Sequence, residues 1–171
     1  MSESERKHGE ASAKAVLDAL RAADATLAVA ESCTGGLLGG ALTTVPGSSA
    51  VFMGGVIAYD DAIKRDLLDV SPIVLAAHGA VSAEVAERMA DAVADKACAT
   101  FGLSVTGVAG PGGGSDDKPV GTVWIGVAGP AGTEAFVHRF SGNRASVRAQ
   151  SVAAALGHLH DVLQAQARDL G

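Results

Sequence analysis

The sequence predicts an α/β domain: a three-layer α/β/α sandwich around a mixed, mostly parallel sheet, with an antiparallel hairpin late in the chain. Three observations carry this. Short apolar runs of strand composition alternate with longer stretches of helical apolar spacing. Turn-forming clusters such as Pro46-Gly47-Ser48-Ser49 separate them. Near the end, Gly129-Pro130-Ala131-Gly132 joins two consecutive strand-like runs, the mark of a hairpin.

Taken in order, residues 1–9 are polar and charged and read as a flexible, frayed end before a single domain over 10–171. A helix over about 10–23 follows, with Ala13, Val16, Leu17 and Leu20 on one face. Residues 26–30 read as a buried strand, and 37–44 as a helix. After the Pro46 turn, 51–59 reads as a strand with a glycine bend, and Asp60 and Asp61 open a short helix that carries Lys64 and Arg65. Ser71-Pro72 caps another short helix, which Gly79 stops. Ser82 caps the next, expected over about 83–101 and ended by Gly102. The third strand is 103–106, followed by the glycine-rich stretch 107–119. Strands over 121–128 and 133–141 form the hairpin, and a helix over about 144–167 closes the chain on Val152, Leu156, Leu159 and Leu163.

Composition narrows the function. The 171 residues suit one domain, 48% hydrophobic and 19% charged, a globular composition. Aromatics are only 4%, so the core must be built of small aliphatics, and the 22 glycines suit tight turns and close approach. A formal net charge of -6 argues against nucleic-acid binding, which needs a basic face. No apolar run reaches the ~18 residues of a membrane span, and no secretory leader pattern occurs. A cytoplasmic protein with free thiols at Cys33 and Cys98 is expected, with Cys98 on a helix. No Cys-x-x-Cys occurs, and His158 and His160 face different ways on a helix, so no metal is expected.

Chemistry concentrates where the first strand breaks into Glu31-Ser32-Cys33-Thr34-Gly35-Gly36. That turn joins a strand's carboxyl end to a helix's amino end, the usual ligand crevice of an open α/β sheet, where free N–H groups and the helix dipole point outward. The plain alternative is an ordinary helix capped by Ser32 or Thr34. Other strands end at Tyr59 and Thr106, and Ser48-Ser49 precedes one. If those ends share one sheet edge, the hydroxyls converge. Lys64, five residues after Tyr59, reaches the same crevice, and a desolvated lysine gives up its proton more easily and can activate a serine. The glycine-rich stretch, with Gly110, Gly112 and Gly113, could cradle an anion. Arg144 and Arg148 sit at the amino end of the last helix, against its dipole, a cost that holding a phosphate or carboxylate would offset. Asp60 or Asp61 with Asp116 and Asp117 is the weaker alternative of a divalent-metal site. Cys33 is the alternative nucleophile.

The blocks Ala30-Glu31-Ser32-Cys33-Thr34-Gly35-Gly36, Pro46-Gly47-Ser48-Ser49, Tyr59 with Lys64, His78-Gly79-Ala80-Val81-Ser82, Gly107-Val108-Ala109-Gly110-Pro111-Gly112-Gly113-Gly114, Lys118-Pro119-Val120-Gly121-Thr122-Val123 and Phe140-Ser141-Gly142-Asn143-Arg144 closely resemble the CinA carboxy-terminal domain family. They occur in order and span about residues 11–163. The resemblance implies a three-layer α/β/α fold, commonly a homo-oligomer. It also implies hydrolysis of nicotinamide mononucleotide to nicotinate mononucleotide and ammonia, without metal or organic cofactor. The motif positions are Ser32, Ser49, Tyr59, Lys64, Thr106 and Arg144. Larger relatives carry a further domain that hydrolyses a pyrophosphate bond, and that activity is not expected here. The working expectation is an amidase with Ser32, otherwise Ser49, as nucleophile and Lys64 as base. Tyr59 orients the lysine or lies against the pyridinium; Thr106 and the Ser32-turn amides hold the oxyanion; Arg144, Arg148 and Gly35, Gly36, Gly110, Gly112 and Gly113 bind the nucleotide. The rivals are a non-catalytic nucleotide-binding or interaction module and a metal-dependent phosphohydrolase.

Overall fold

The computed structural model describes residues 3–169, with side chains over 12–168. Helix α1 (Glu3–Ala22) leads into strand β1 (Leu27–Glu31), helix α2 (Leu37–Thr44), a 3-10 turn (Ser48–Ala50) and strand β2 (Phe52–Ile57). Helices α3 (Asp61–Leu68), α4 (Pro72–His78) and α5 (Ala83–Ala97) follow. Strands β3 (Phe101–Gly107), β4 (Thr122–Gly129) and β5 (Gly132–Arg139) and helix α6 (Arg144–Asp169) complete the order.

The strands form one sheet in the order β2-β1-β3-β4-β5. β1 pairs in parallel with β2 and β3, while β4 is antiparallel to both β3 and β5, so only β4 runs against the rest. One face buries Leu27, Val29, Leu103, Val105, Val123 and Ile125 beneath apolar faces of α1, α2 and α6. The other buries Ala28 and Ala30 against Val85, Met89 and Val93 of α5 and Leu68 of α3. Each large aliphatic taken out of water this way contributes about 1.5–3 kcal/mol. These two layers on one sheet are the expected three-layer fold.

Strand ends shift by a residue or two from the sequence expectation, and two helix boundaries differ by more. Helix α1 begins at Glu3, so residues 3–9, expected as a frayed end, have helical backbone; Met1 and Ser2 lie outside the described residues. The polar run there is rich in straight-chain residues that lose little rotamer freedom in a helix, so polarity alone did not mark an end. Helix α5 stops at Ala97, and Cys98 closes it in a left-handed conformation (φ 50°), its N–H reaching the Ala94 and Asp95 carbonyls. Cys98 is therefore a cap rather than a helical residue. Gly102, expected to end the helix, lies inside β3, where a side chain would run into the Ala90 carbonyl of α5. Close approach of helix to sheet, not helix termination, is what requires glycine there.

The hairpin turns tightly at Pro130-Ala131, as its composition predicts. β5 is tied to α6 by His138 Nε2 and His158 Nε2 at 2.8 Å and by a stack of Phe136 on the His158 ring at 3.9 Å. Burial lowers the pKa of both histidines from the ordinary value, and each ring's charge would oppose the other's. No described helix is long and apolar enough to cross a membrane.

Candidate active site

Ser32 follows the last residue of β1, Tyr59 lies two residues past β2, and Thr106 is the last residue but one of β3, so the parallel strands deliver all three to one edge of the sheet. A cleft of about 310 Å³ opens there. Ser32, Tyr59, Asp61, Lys64, Thr106 and Arg144 line it, and the glycine-rich loop closes one side through Gly107, Gly110, Gly112 and Gly113. The convergence expected of the strand ends is thus present.

The Ser32 turn is built by a residue that sequence reasoning left without a role. Glu31 is 2% exposed, and its carboxylate accepts N–H bonds from Gly36 and Leu38 (both 3.0 Å) and Gly39 (2.8 Å). Those are the orphan donors of the first turn of α2. The amides expected to face a ligand therefore face Glu31, and the capping expected of Ser32 or Thr34 is done by this carboxylate instead. Thr34 Oγ1 is buried with no hydrogen-bond partner among the described residues. Gly35 and Gly36 take φ of 56° and 97° to reverse the chain into α2. They shape the turn and do not line the cleft. A strand-end acid one turn ahead of a helix with no polar residue in its first turn was the available signal for Glu31.

Arg148 was expected to bind an anion. Its Nε instead donates to the Cys33 carbonyl (3.1 Å) and its Nη2 to the Thr34 carbonyl (2.7 Å), so it clamps the Ser32 turn onto α6. Arg144 does reach the cleft. Its Nη1 donates to the Gly110 carbonyl (2.8 Å) and its Nη2 to the Tyr59 hydroxyl (2.6 Å). One arginine of the pair thus serves the turn and the other the mouth of the pocket.

Lys64 is 1% exposed, an unusual depth for a lysine, and its Nζ donates to Asp61 Oδ1 (3.1 Å) and the Tyr59 carbonyl (3.5 Å). A carboxylate partner is what such a buried ammonium requires, since desolvation alone penalises the charge. Tyr59 meets Lys64 through its backbone; its ring, 57% exposed, stands at the mouth and its hydroxyl serves Arg144. Thr106 Oγ1 donates to the Ala80 carbonyl (2.7 Å), so its proton is already committed to the loop before α5. The expectation that it donates to an oxyanion is corrected to that extent. Asp60, weighed as a metal ligand, caps α3 by accepting from Ala62 N–H (2.8 Å), and Asp116 and Asp117 lie in the exposed loop. Among the described residues no group of three or more His, Cys, Asp or Glu side chains could hold a metal ion. Burial pushes the Cys33 thiol up to about 11, which keeps the alternative nucleophile protonated.

Ser49 is not brought to this cleft. It is exposed in the 3-10 turn before β2, at the end of that strand opposite Tyr59. Six strand residues at ~3.3 Å each put roughly 20 Å between the two ends. The hydroxyls on 48 and 49 precede their strand, whereas Ser32, Tyr59 and Thr106 stand where theirs finish.

The geometry defines an α/β domain with one polar cleft at the carboxyl ends of its parallel strands, holding a buried lysine among hydroxyls. The chain belongs to the CinA C-terminal domain family, which it matches over residues 9–163. It is 57% identical over 136 residues to a CinA-like protein of Cyanothece sp., covering 78% of this chain and 32% of that one. It is 51% identical over 156 residues to a CinA-like protein of Parasynechococcus marenigrum, covering 90% and 37%. The chain thus spans about a third of the length of these curated relatives. Among solved structures, the competence/damage inducible protein CihA of Agrobacterium tumefaciens superposes with a TM-score of 0.88 at 38% identity, covering 92% of this chain and 96% of that one. A CinA superfamily protein of Klebsiella pneumoniae gives 0.88 at 35%, covering 91% and 98%.

Proposed function

We infer that this domain hydrolyses the carboxamide of nicotinamide mononucleotide, releasing ammonia and nicotinate mononucleotide. The observation that carries it is that a deeply buried lysine and a strand-end serine line one small cleft whose mouth holds an arginine. The reading requires the Lys64 ammonium to release a proton to solvent before turnover; as the free amine it takes the Ser32 hydroxyl proton as Oγ attacks the carboxamide carbon, and returns it to the departing nitrogen, which leaves as ammonia. Water then attacks the ester with Lys64 again as base, freeing the carboxylate and restoring Ser32. Asp61 holds the lysine between turnovers.

The oxyanion and phosphate fall to groups that still face the cleft. Main-chain amides of the loop around Gly110, Gly112 and Gly113 suit the developing oxyanion, in place of the amides that Glu31 occupies. Arg144 suits the phosphate, exchanging its Tyr59 hydroxyl bond for a charge-assisted one. Tyr59, at the mouth, offers its face to the cationic pyridinium.

Ammonia release from nicotinamide mononucleotide by the purified chain, with a chelator present, tests the reading. Turnover lost with Ser32→Ala and kept with Cys33→Ser is the expected outcome. Tight binding without turnover would instead favour a nucleotide-binding module in the same cleft, and chelator-sensitive turnover a metal-dependent enzyme.

A further inference from the structure

Among the side chains that line the cleft, Lys64 and Arg144 are basic and Asp61 alone is acidic. Tyr59 spans the distance between the two cations. Its hydroxyl meets Arg144 Nη2 (2.6 Å) at the mouth, while its carbonyl accepts from the buried Lys64 Nζ (3.5 Å). Asp61 stands at the lysine end, where its Oδ1 accepts from Lys64 Nζ (3.1 Å). Its Oδ2 has no hydrogen bond or ion pair among the described residues, and its side chain is 59% exposed. One carboxylate thus faces a buried ammonium on one side and the open cleft on the other.

The polarity of the cleft matches that of nicotinamide mononucleotide, in which a ribose separates an anionic phosphate from a permanently cationic ring. With the phosphate at Arg144, the ring falls toward Asp61 and Lys64. Two cations then share one carboxylate where water is being excluded and charges are poorly screened. A pyridinium cannot shed its charge, whereas an ammonium can. No other group nearby takes up the conflict. On α3 itself, Asp60 caps the helix and Arg65 pairs with Asp66. α5 packs on α3 through Val85, Met89 and Val93, and its Lys96 pairs with Asp69. Arg144 stays charged, and Cys33 is a buried thiol held protonated.

We propose that Asp61 selects the cationic ring, and that the ring, on taking this carboxylate, drives a proton from Lys64 to solvent, so that substrate binding makes the base. The ion pair of Asp61 with the Lys64 ammonium becomes an ion pair of Asp61 with the pyridinium, beside a free amine. Charge at the pair is unchanged, and one proton leaves. An empty cleft, or one holding a neutral amide, keeps its lysine protonated and its serine idle. The inference rests on the amidase reading for its substrate.

Reduced nicotinamide mononucleotide is the probe, because it keeps the phosphate and the amide but has a neutral dihydropyridine ring. Calorimetry on the Ser32→Ala chain, in buffers of different ionisation enthalpy, counts the protons released on binding. At about pH 8 the phosphate already carries its second charge, so it contributes equally little for both nucleotides. The oxidised nucleotide should release a proton and the reduced one none. The affinity advantage of the oxidised form should also grow with pH, toward about tenfold per unit if a whole proton leaves. Lys64→Met should keep that advantage and lose its pH dependence. Asp61→Asn should cut the advantage by about tenfold or more, as expected for a close charge pair. It should still bind the reduced nucleotide nearly as the parent does, which also shows that it is folded. Equal proton release with both nucleotides, or pH dependence retained in Lys64→Met, overturns the displacement of the proton. Equal losses of both nucleotides in Asp61→Asn, or no loss of either, overturns the selection of charge and leaves Asp61 a partner of Lys64 alone. Ammonia release by the wild type alongside either overturning result sinks this inference and spares the amidase reading. Charge-selective binding with no ammonia from the wild type does the reverse, and no binding of the oxidised nucleotide sinks both.

Discussion

Glu31→Gln is the most informative single change that the structure offers. The Glu31 carboxylate accepts two N–H bonds at Oε2 and one at Oε1, in a site from which water is excluded. Glutamine keeps the shape but turns one acceptor into a donor. With its oxygen toward Gly36 and Leu38, its amide nitrogen meets the Gly39 N–H, and that donor is left buried and unpaired. Losing one charge-assisted bond costs about 1.5–3 kcal/mol. Losing the negative charge at the start of α2 adds about 0.3–1 kcal/mol. The sum is roughly 2–4 kcal/mol, or a fall in Tm of about 4–16 °C at the ~2–4 °C per kcal/mol usual for a chain of this size. Urea and thermal denaturation at neutral pH measure it. Turnover should also fall, because Ser32 is the residue next to Glu31 and its turn leans on the α2 start. A loss below about 1 kcal/mol would refute the reasoning, for it would mean that water or Thr34 replaces the carboxylate at no cost.

Three further outcomes follow from the same geometry. Lys64→Arg should abolish turnover as fully as Lys64→Ala, since guanidinium keeps the charge but does not release its proton near neutral pH; retained kcat in the arginine variant would reduce the lysine to a charge. Arg144→Ala should lower kcat/KM for nicotinamide mononucleotide by about 10 to 100-fold, the equivalent of one charge-assisted bond. Nicotinamide riboside, which lacks the phosphate, should lose only the smaller share owed to the Gly110 and Tyr59 contacts, and equal losses would remove the phosphate from Arg144. The paired histidines set a pH dependence of stability. Their folded pKa values lie below the ordinary 6.5, so their contribution is present above pH 6.5 and is lost as pH falls through the lower folded values. His158→Phe keeps the stack on Phe136 without titrating, so Tm between pH 7 and pH 5 should fall less in the variant than in the wild type. An unchanged slope would show that other groups set the acid limb.

How much of this was legible in the sequence depends on the range of the interaction. Helix caps at Ser71 and Ser82, the Pro130 hairpin and the buried strand of residues 26–30 were readable because turn chemistry and apolar period are local. Ser32, Tyr59 and Thr106 were readable as a set because parallel strands place their carboxyl ends on one edge, while Lys64 was readable from its spacing after Tyr59 and Arg144 from its place against the dipole of α6. The motif blocks then pointed to the family. Tertiary structure alone decided what each polar group spends its hydrogen bonds on. Glu31 takes the amides meant for a ligand, Arg148 takes the Cys33 and Thr34 carbonyls, and Thr106 gives its proton to Ala80, contacts in which the chain position of a residue does not name its partner. Gly102 is the same lesson in packing: a glycine after a helical run looks like a stop, but here it lets Ala90 of α5 approach the sheet. Ser49 shows the limit most sharply, because its residue type and turn mark it for chemistry, while only the direction of β2 puts it at the wrong end of its own strand.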